Sequence, residues 1–231
     1  HMSIGIGLAR RISESENLNA DVYLFFQPGE EGGTGGLAFS RTEQVERLDY
    51  LVASHLGIWQ KRQLVCELDF MSSGTFEVEF HGKTAHAALN PQDGRNALLA
   101  ASNAVVGLYD IPGHPDGETR VNVGKLRSDN AHNVISDHAE FTMEVRGEND
   151  ELCAEMEARA RDVIEKAAAG AGVDAEVRED GRYISVPSSP ALKAAVREAA
   201  IKTGIPEGAI LDRYSVMGSE DATHMMKTVI E

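Results

Sequence analysis

What this chain lacks narrows it quickly. No apolar run approaches the roughly 20 residues needed to span a bilayer, and no secretory signal is visible, so neither a membrane role nor export is expected. Cysteine is scarce: Cys66 and Cys153 are the only two among 231 residues. Two thiols give no disulfide framework and suit a reducing cytoplasm. Positive charge is also short, with 22 Lys and Arg against 37 Asp and Glu and a net charge of −15. Phosphate backbones need a basic face, which argues against nucleic acid as a partner. Lysine is scarce beside arginine, and a carboxylate-rich, lysine-poor surface suits a halophilic cytoplasm, where salt screens self-repulsion. No internal repeat or low-complexity linker interrupts the chain. What is present, 42% hydrophobic residues over this length, is enough for one large domain or two small ones.

The richest stretch is Phe25-Phe26-Gln27-Pro28-Gly29-Glu30-Glu31-Gly32-Gly33. An apolar run from Val22 to Phe26 stops at a proline, and two glutamates and two glycines follow. A buried strand that delivers carboxylates to the rim of a sheet ends in this way. Glycines after the carboxylates let backbone approach a metal or ligand closely. The same four residues also make an ordinary solvated loop. A second apolar run, 48–54, is followed directly by His55. In an open α/β sheet, ligands bind beyond the C-terminal ends of strands, where Glu31 and His55 would converge. A carboxylate and an imidazole there suit a borderline metal such as zinc, and Glu30 beside them could deprotonate a metal-bound water. A lone histidine after a strand is more often structural; its pairing with Glu-Glu favours the site.

The middle of the chain has a readable periodicity. Residues 74–81 alternate Phe76, Val78 and Phe80 with polar neighbours, which predicts a half-buried strand. Residues 94–109 carry apolar side chains at helical spacing. Residues 119–125 and 137–146 read as strands. Residues 149–169 read as a helix with Asn149 as N-cap and Gly170 as stop signal. A last strand is expected over 173–179. The order βαββαβ predicts a ferredoxin-like sandwich with both helices on one face of an antiparallel sheet. The flanks read differently: helix 3–13, buried strand 21–27, helix 36–46, buried strand 48–54, and, beyond the sandwich, helix 190–203 ending at Gly204. Strands apolar on both faces belong to a layered α/β domain. The expected organisation is an α/β domain over 1–71 and 187–231, interrupted by a sandwich over 72–186.

At this point the sequence resembles a known family. FFQPGEEGG (25–33), SHLG (54–57), HGKTAHAALNPQDGRNALLAA (81–101), RVNVGKLRSDNAHNVISDHAEFTMEVRGE (120–148) and VMGSEDATHMM (216–226) are similar, in order, to the aminoacylase and amidohydrolase branch of the co-catalytic-metal peptidase clan. Within it they lie nearest the aminobenzoyl-glutamate and indole-acetyl-amino-acid hydrolase types. The resemblance implies a zinc-aminopeptidase-like α/β catalytic domain, partial in this chain, carrying a ferredoxin-like dimerisation lid. It implies two divalent metal ions, zinc or manganese, in the complete enzyme. Glu30 would be the general base, and Glu31 and His55 metal ligands. His86 would polarise the scissile carbonyl across a homodimer. Asn133 and Arg146 would be the lid pair that grips the substrate carboxylate, where an arginine fork is bidentate. Gly218 and Ser219, followed by Glu220 and Asp221, would line the pocket and support it.

One departure matters. The family's first ligands lie in a Cys-Gly-His segment that would precede this chain, and its last in a Gly-His-His region that would follow Glu231. Only Glu31 and His55 of five expected ligands are present. Two readings therefore stand side by side: a metal-dependent hydrolase of N-acyl or aminobenzoyl amino acids, and a catalytically incomplete fragment that serves as a dimerisation or carboxylate-binding module. Metal content together with hydrolysis of aminobenzoyl-glutamate separates them.

Overall fold

The structure, a computed structural model, describes residues 2–57 and 60–230, with Glu31 described in its backbone alone. In chain order it begins with α1 (Met2–Ser13), α2 (Gly35–Ser40), α3 (Glu43–Glu46), β1 (Leu64–Val65) and β2 (Leu68–Phe70). Next come β3 (Ser72–His81), α4 (Ala97–Tyr109), β4 (Thr119–Arg127), β5 (His138–Gly147), α5 (Asp150–Ala171) and β6 (Asp174–Tyr183). It closes with α6 (Pro190–Lys202), β7 (Ile210–Leu211), β8 (Tyr214–Val216) and α7 (Ala222–Ile230). The chain forms two compact units, one from His1–Phe70 with Val186–Glu231 and the other from Met71–Ser185. Among the described residues, no helix is long and apolar enough to cross a membrane.

The Met71–Ser185 unit is the ferredoxin-like sandwich. Its sheet order is β4-β5-β3-β6, with every neighbouring pair antiparallel. Inward residues of the two central strands, Phe76, Val78, Phe80, Phe141, Met143 and Val145, are buried. Against them lie alanines 97, 100, 101 and 104 of α4, and Cys153, Met156, Ala160 and Ile164 of α5. Small side chains on α4 let the two helices approach; a Cβ on Gly107 would stand 2.8 Å from Val163. The side chains of Asn96 and Asn149 accept the N–H groups of Leu99 (3.1 Å) and Leu152 (2.9 Å), which starts both helices. α5 runs past Gly170; the left-handed residue that ends it is Gly172, with φ 64°. Deep burial pushes the Cys153 thiol up to about 11, the state of an inert core cysteine.

The other unit corrects several expectations. Residues 21–27 and 48–54 form no strand. An apolar run becomes a buried strand only where ladder partners and covering layers exist on both sides. Here Phe25 and Leu51 pack on the small core of Val45, Ala222 and Met225, whereas Val22 (47%), Tyr23 (46%), Phe26 (47%), Tyr50 (71%) and Val52 (65%) remain exposed. The single helix read over 36–46 is two, α2 and α3. The break comes from local bonds that compete with the helix, Ser40 Oγ to the Leu37 carbonyl (2.8 Å) and Thr42 Oγ1 to the Phe39 carbonyl (2.7 Å). Two short parallel pairs, β1 with β7 and β2 with β8, complete the unit. They are too short to carry a periodic signal in sequence. α6 starts at Pro190, and Ser189 caps it by accepting the Leu192 N–H.

Candidate active site

Glu30 opens a single 3-10 turn, Glu30–Gly32, that follows directly on Pro28-Gly29. Gly29 (φ 74°) and Gly33 (φ 64°) bracket the turn in the left-handed region, which side chains with a Cβ rarely adopt. The loop is held from across the unit by Asp221. This carboxylate is fully buried, accepts the Gly36 N–H at 2.7 Å through Oδ2, and accepts the Gln27 amide through Oδ1. Gly36 is required by contact: a Cβ there would lie 2.0 Å from the Asp221 carbonyl oxygen. Gly218 and Ser219 lie between β8 and the acidic pair Glu220-Asp221.

Carboxylate atoms of Glu30, Glu220 and Asp221 lie within 4.8 Å of one another. His55 joins them, with Nε2 3.9 Å from Glu220 Oε2. Its Nδ1 lies 2.8 Å from the Leu56 carbonyl, which can only accept, so Nδ1 carries a proton and Nε2 is the nitrogen that faces the carboxylate. Burial pushes the Glu220 carboxyl above its ordinary range; the charges of Glu30 and Asp221 add to the rise, and the Ala222 N–H opposes it. The Gln27 Oε1 atom is buried without a hydrogen-bond partner among the described residues. Acceptors that crowd together in this way repel unless a proton or a cation lies among them. The carboxylates of Glu220 and Asp221 with the imidazole of His55 fit zinc or manganese by donor chemistry, and Glu30 stands beside them. The side chain of Glu31 lies outside the described residues.

The sandwich carries the other expected site residues at its two ends. His86 and Asn133 are neighbours: His86 bridges Val134, and the Asn133 carbonyl accepts the Ala87 N–H at 3.0 Å. His86 Nδ1 accepts the N–H groups of Ala88 (3.2 Å) and Leu89 (3.3 Å), so Nε2 carries the ring proton and is a donor. Arg146 is elsewhere. It pairs with Glu144 at 2.7 Å and sits in register with Ser73 and Arg120. The Gly82 N–H donates to the Asp137 carbonyl at 2.7 Å, which fixes the loop holding Asn133 at the His138 end of β5. From His138 to Arg146 the strand runs about 27 Å at about 3.4 Å per residue. Within one chain, then, Asn133 and Arg146 do not meet.

Residues 71–171 match the peptidase dimerisation domain family. An indole-3-acetyl-aspartic acid hydrolase of Enterobacter agglomerans is 39% identical over 99% of this chain and 53% of its own length. One of the subunits of the p-aminobenzoyl-glutamate hydrolase of Escherichia coli is 37% identical over the same shares, 99% and 53%. The crystal structure of an aminobenzoyl-glutamate utilization protein from Klebsiella pneumoniae superposes with a TM-score of 0.85 at 38% identity, covering 100% of this chain and 59% of that one. Residues 71–171 are thus a peptidase dimerisation domain, and the chain is similar over nearly its whole length to hydrolases that carry it. It spans about half the length of the curated relatives it matches.

The sequence reading places Glu220 and Asp221 only at the end of a supporting loop, and the structure adds how they are held. The available signal was chemical: two adjacent carboxylates after Gly-Ser cannot both be buried unless donors or a cation meet them. Asp221 has its donors in Gly36 and Gln27. Glu220 has one, the Ala222 N–H at 3.2 Å, and faces His55 with its other oxygen.

Proposed function

We propose that this chain carries the water-activating residues and the lid of a metal-dependent hydrolase. The substrate would be the amide bond of an N-acyl or aminobenzoyl amino acid, with aminobenzoyl-glutamate as the reference compound. The observation that supports this reading most is the acceptor cluster of Glu30, Glu220, Asp221 and His55, in a chain that aligns almost end to end with hydrolases of such amides. His55 and Glu31, with Glu220 beside them, would hold the metal and leave Glu30 free as the base. When bound, zinc or manganese would supply Lewis acidity, lowering the pKa of water and polarising a carbonyl.

The remaining steps belong to the protein. Glu30 takes the proton from the attacking water and returns it to the leaving amine nitrogen. His86, with its donor nitrogen fixed by the Ala88 and Leu89 N–H groups, hydrogen-bonds the carbonyl oxygen as negative charge develops there. Arg146 and Asn133 hold the substrate carboxylate. Since they lie at opposite ends of β5, a shared substrate draws them from two different protomers, which makes the homodimer part of the site. Exposed apolar side chains, Leu99 (53%), Val106 (64%) and Leu126 (43%), together with the position of β4 at the edge of its sheet, suit such an interface.

The test is hydrolysis of aminobenzoyl-glutamate with zinc or manganese supplied. Glu30→Gln should lower turnover by about 10²-fold or more while metal content stays constant. Unchanged turnover, loss of the metal with this substitution, or no hydrolysis by the parent protein with either metal would overturn the reading.

A further inference from the structure

The sandwich buries one face of its sheet under α4 and α5 and turns the other outward. On that outward face, at one end of the two central strands, His81 of β3 stands directly opposite His138 of β5 in the register. Their rings are 5.6 Å apart between centroids. Glu79, two residues before His81 and therefore on the same face, points Oε2 at both rings, 3.4 Å from His138 Nε2 and 3.8 Å from His81 Nε2. One donor atom from each residue lies within 4.8 Å of the other two. The side chains are open to solvent: 40% for Glu79, 47% for His81 and 45% for His138.

The surrounding charges leave this group to itself. Lys125 pairs with Glu140 at 2.8 Å, and Arg178 pairs with Glu77, so the nearest cations of the face are engaged by other carboxylates. Asp174 stands opposite His81 on the other side, in β6, and adds negative potential. Two imidazoles and one carboxylate are a donor set that zinc and its neighbours in the transition series accept. Ligand atoms about 2.0–2.1 Å from a tetrahedral ion lie about 3.3–3.5 Å from each other, against 3.4 and 3.8 Å between Glu79 Oε2 and the two imidazole nitrogens. The scaffold is also pre-set: β3 and β5 pair without a shift from Ser72–Gly147 to His81–His138, so little ordering is needed to bring the donors together.

We infer that Glu79, His81 and His138 form a divalent transition-metal site on the outer face of the sandwich, taking Zn²⁺ with solvent completing the coordination. It shares no residue with the acidic cluster around Glu30. The competing account is a carboxylate that merely pairs with protonated imidazole.

The experiment is a Zn²⁺ titration of the full chain followed by the histidine ring resonances in NMR. The expected result is that His81 and His138 shift together, saturate at the same Zn²⁺ concentration, and do so at least about tenfold below the concentration that moves the exposed ring of His132. His138→Asn should abolish the early response of His81, and Glu79→Gln should weaken both responses. His55→Asn should change neither. The exposure of the three side chains makes these substitutions compatible with folding, which far-UV circular dichroism would verify. Independent saturation of the two rings, a response only in the range of His132, or an unchanged His81 response in His138→Asn would overturn the site.

Discussion

The buried carboxylate of Asp221 makes the sharpest test of how the Glu30 loop is held. Replacing it with alanine leaves two donors without this acceptor, the buried Gly36 N–H and the partly buried Gln27 amide. Each unsatisfied donor costs about 1–3 kcal/mol, and removing a buried charge returns part of that, so Asp221→Ala should destabilise its unit by about 3 kcal/mol. Asparagine should behave differently. Its carbonyl can keep the Gly36 N–H, and its amide then faces Gln27, whose Oε1 is an unpaired acceptor. A flip of the Gln27 amide would pair the two side chains, so Asp221→Asn should cost only about 1–2 kcal/mol, the difference between a charged and a neutral bond. The assay is urea unfolding with hydrogen exchange read separately over residues 25–40 and 216–230. Faster exchange should appear in both segments, larger for alanine. Equal effects of the two substitutions, or changes below about 0.5 kcal/mol for both, would show that Asp221 does not anchor the loop.

Three further outcomes are expected. Arg146→Lys should weaken turnover of substrates with a free α-carboxylate more than that of their amide analogues, because lysine cannot reproduce the bidentate fork; equal losses would remove Arg146 from the carboxylate site. Light scattering should show a dimer that tightens as salt screens the net charge of −15, and a monomer at every ionic strength would refute both the dimer and the role of His86 across it. The pH dependence of stability, measured with a chelator present, should carry the signature of Glu220. Its folded-state pKa is raised above the ordinary 4.5, so the folded state holds the proton more tightly than the unfolded one. Its contribution is complete below that ordinary value and is lost as pH rises through the folded pKa, so Glu220→Gln should flatten the decline just above pH 4.5. An unaltered slope would mean that Glu220 titrates alike in both states.

How much could be read in advance depended on whether the relevant force was local. The sandwich was legible because its strands face a core on one side, so Phe76, Val78 and Phe80 alternate with polar residues and the period declares itself. Asn149 was legible as a cap for the same reason: its partner is three residues away. The runs at 21–27 and 48–54 misled because hydrophobicity reports a demand for burial, not its fulfilment. Ladder partners come from other parts of the chain, and in this structure neither run has one among the described residues. The break between α2 and α3 turned on two hydroxyls that prefer nearby carbonyls, a competition that apolar spacing does not register. Within the site, Glu30 and His55 stood out by motif. The grip of Asp221 on Gly36 and Gln27 joins residues far apart in sequence, and no local pattern announces it. The separation of Asn133 from Arg146 emerged only once β5 was seen to lie between them.

Asp150 at the head of α5 offers a last consequence. Its Oδ1 accepts both the Ser72 hydroxyl and the Ser185 N–H (2.9 Å), and Ser73 is in register with Tyr183. One carboxylate thus clasps the start and the end of the sandwich side by side. To the chain on either side, this whole folded body is equivalent to the mouth of a hairpin. The closure entropy that a long excursion would impose on its host is met internally, by a unit that holds its own ends together. Such a module can be lengthened, exchanged or recoded on its outer face without disturbing the flanking segments. Its clasp, more than its interior, is where a substitution would let the two halves of the host sequence drift apart.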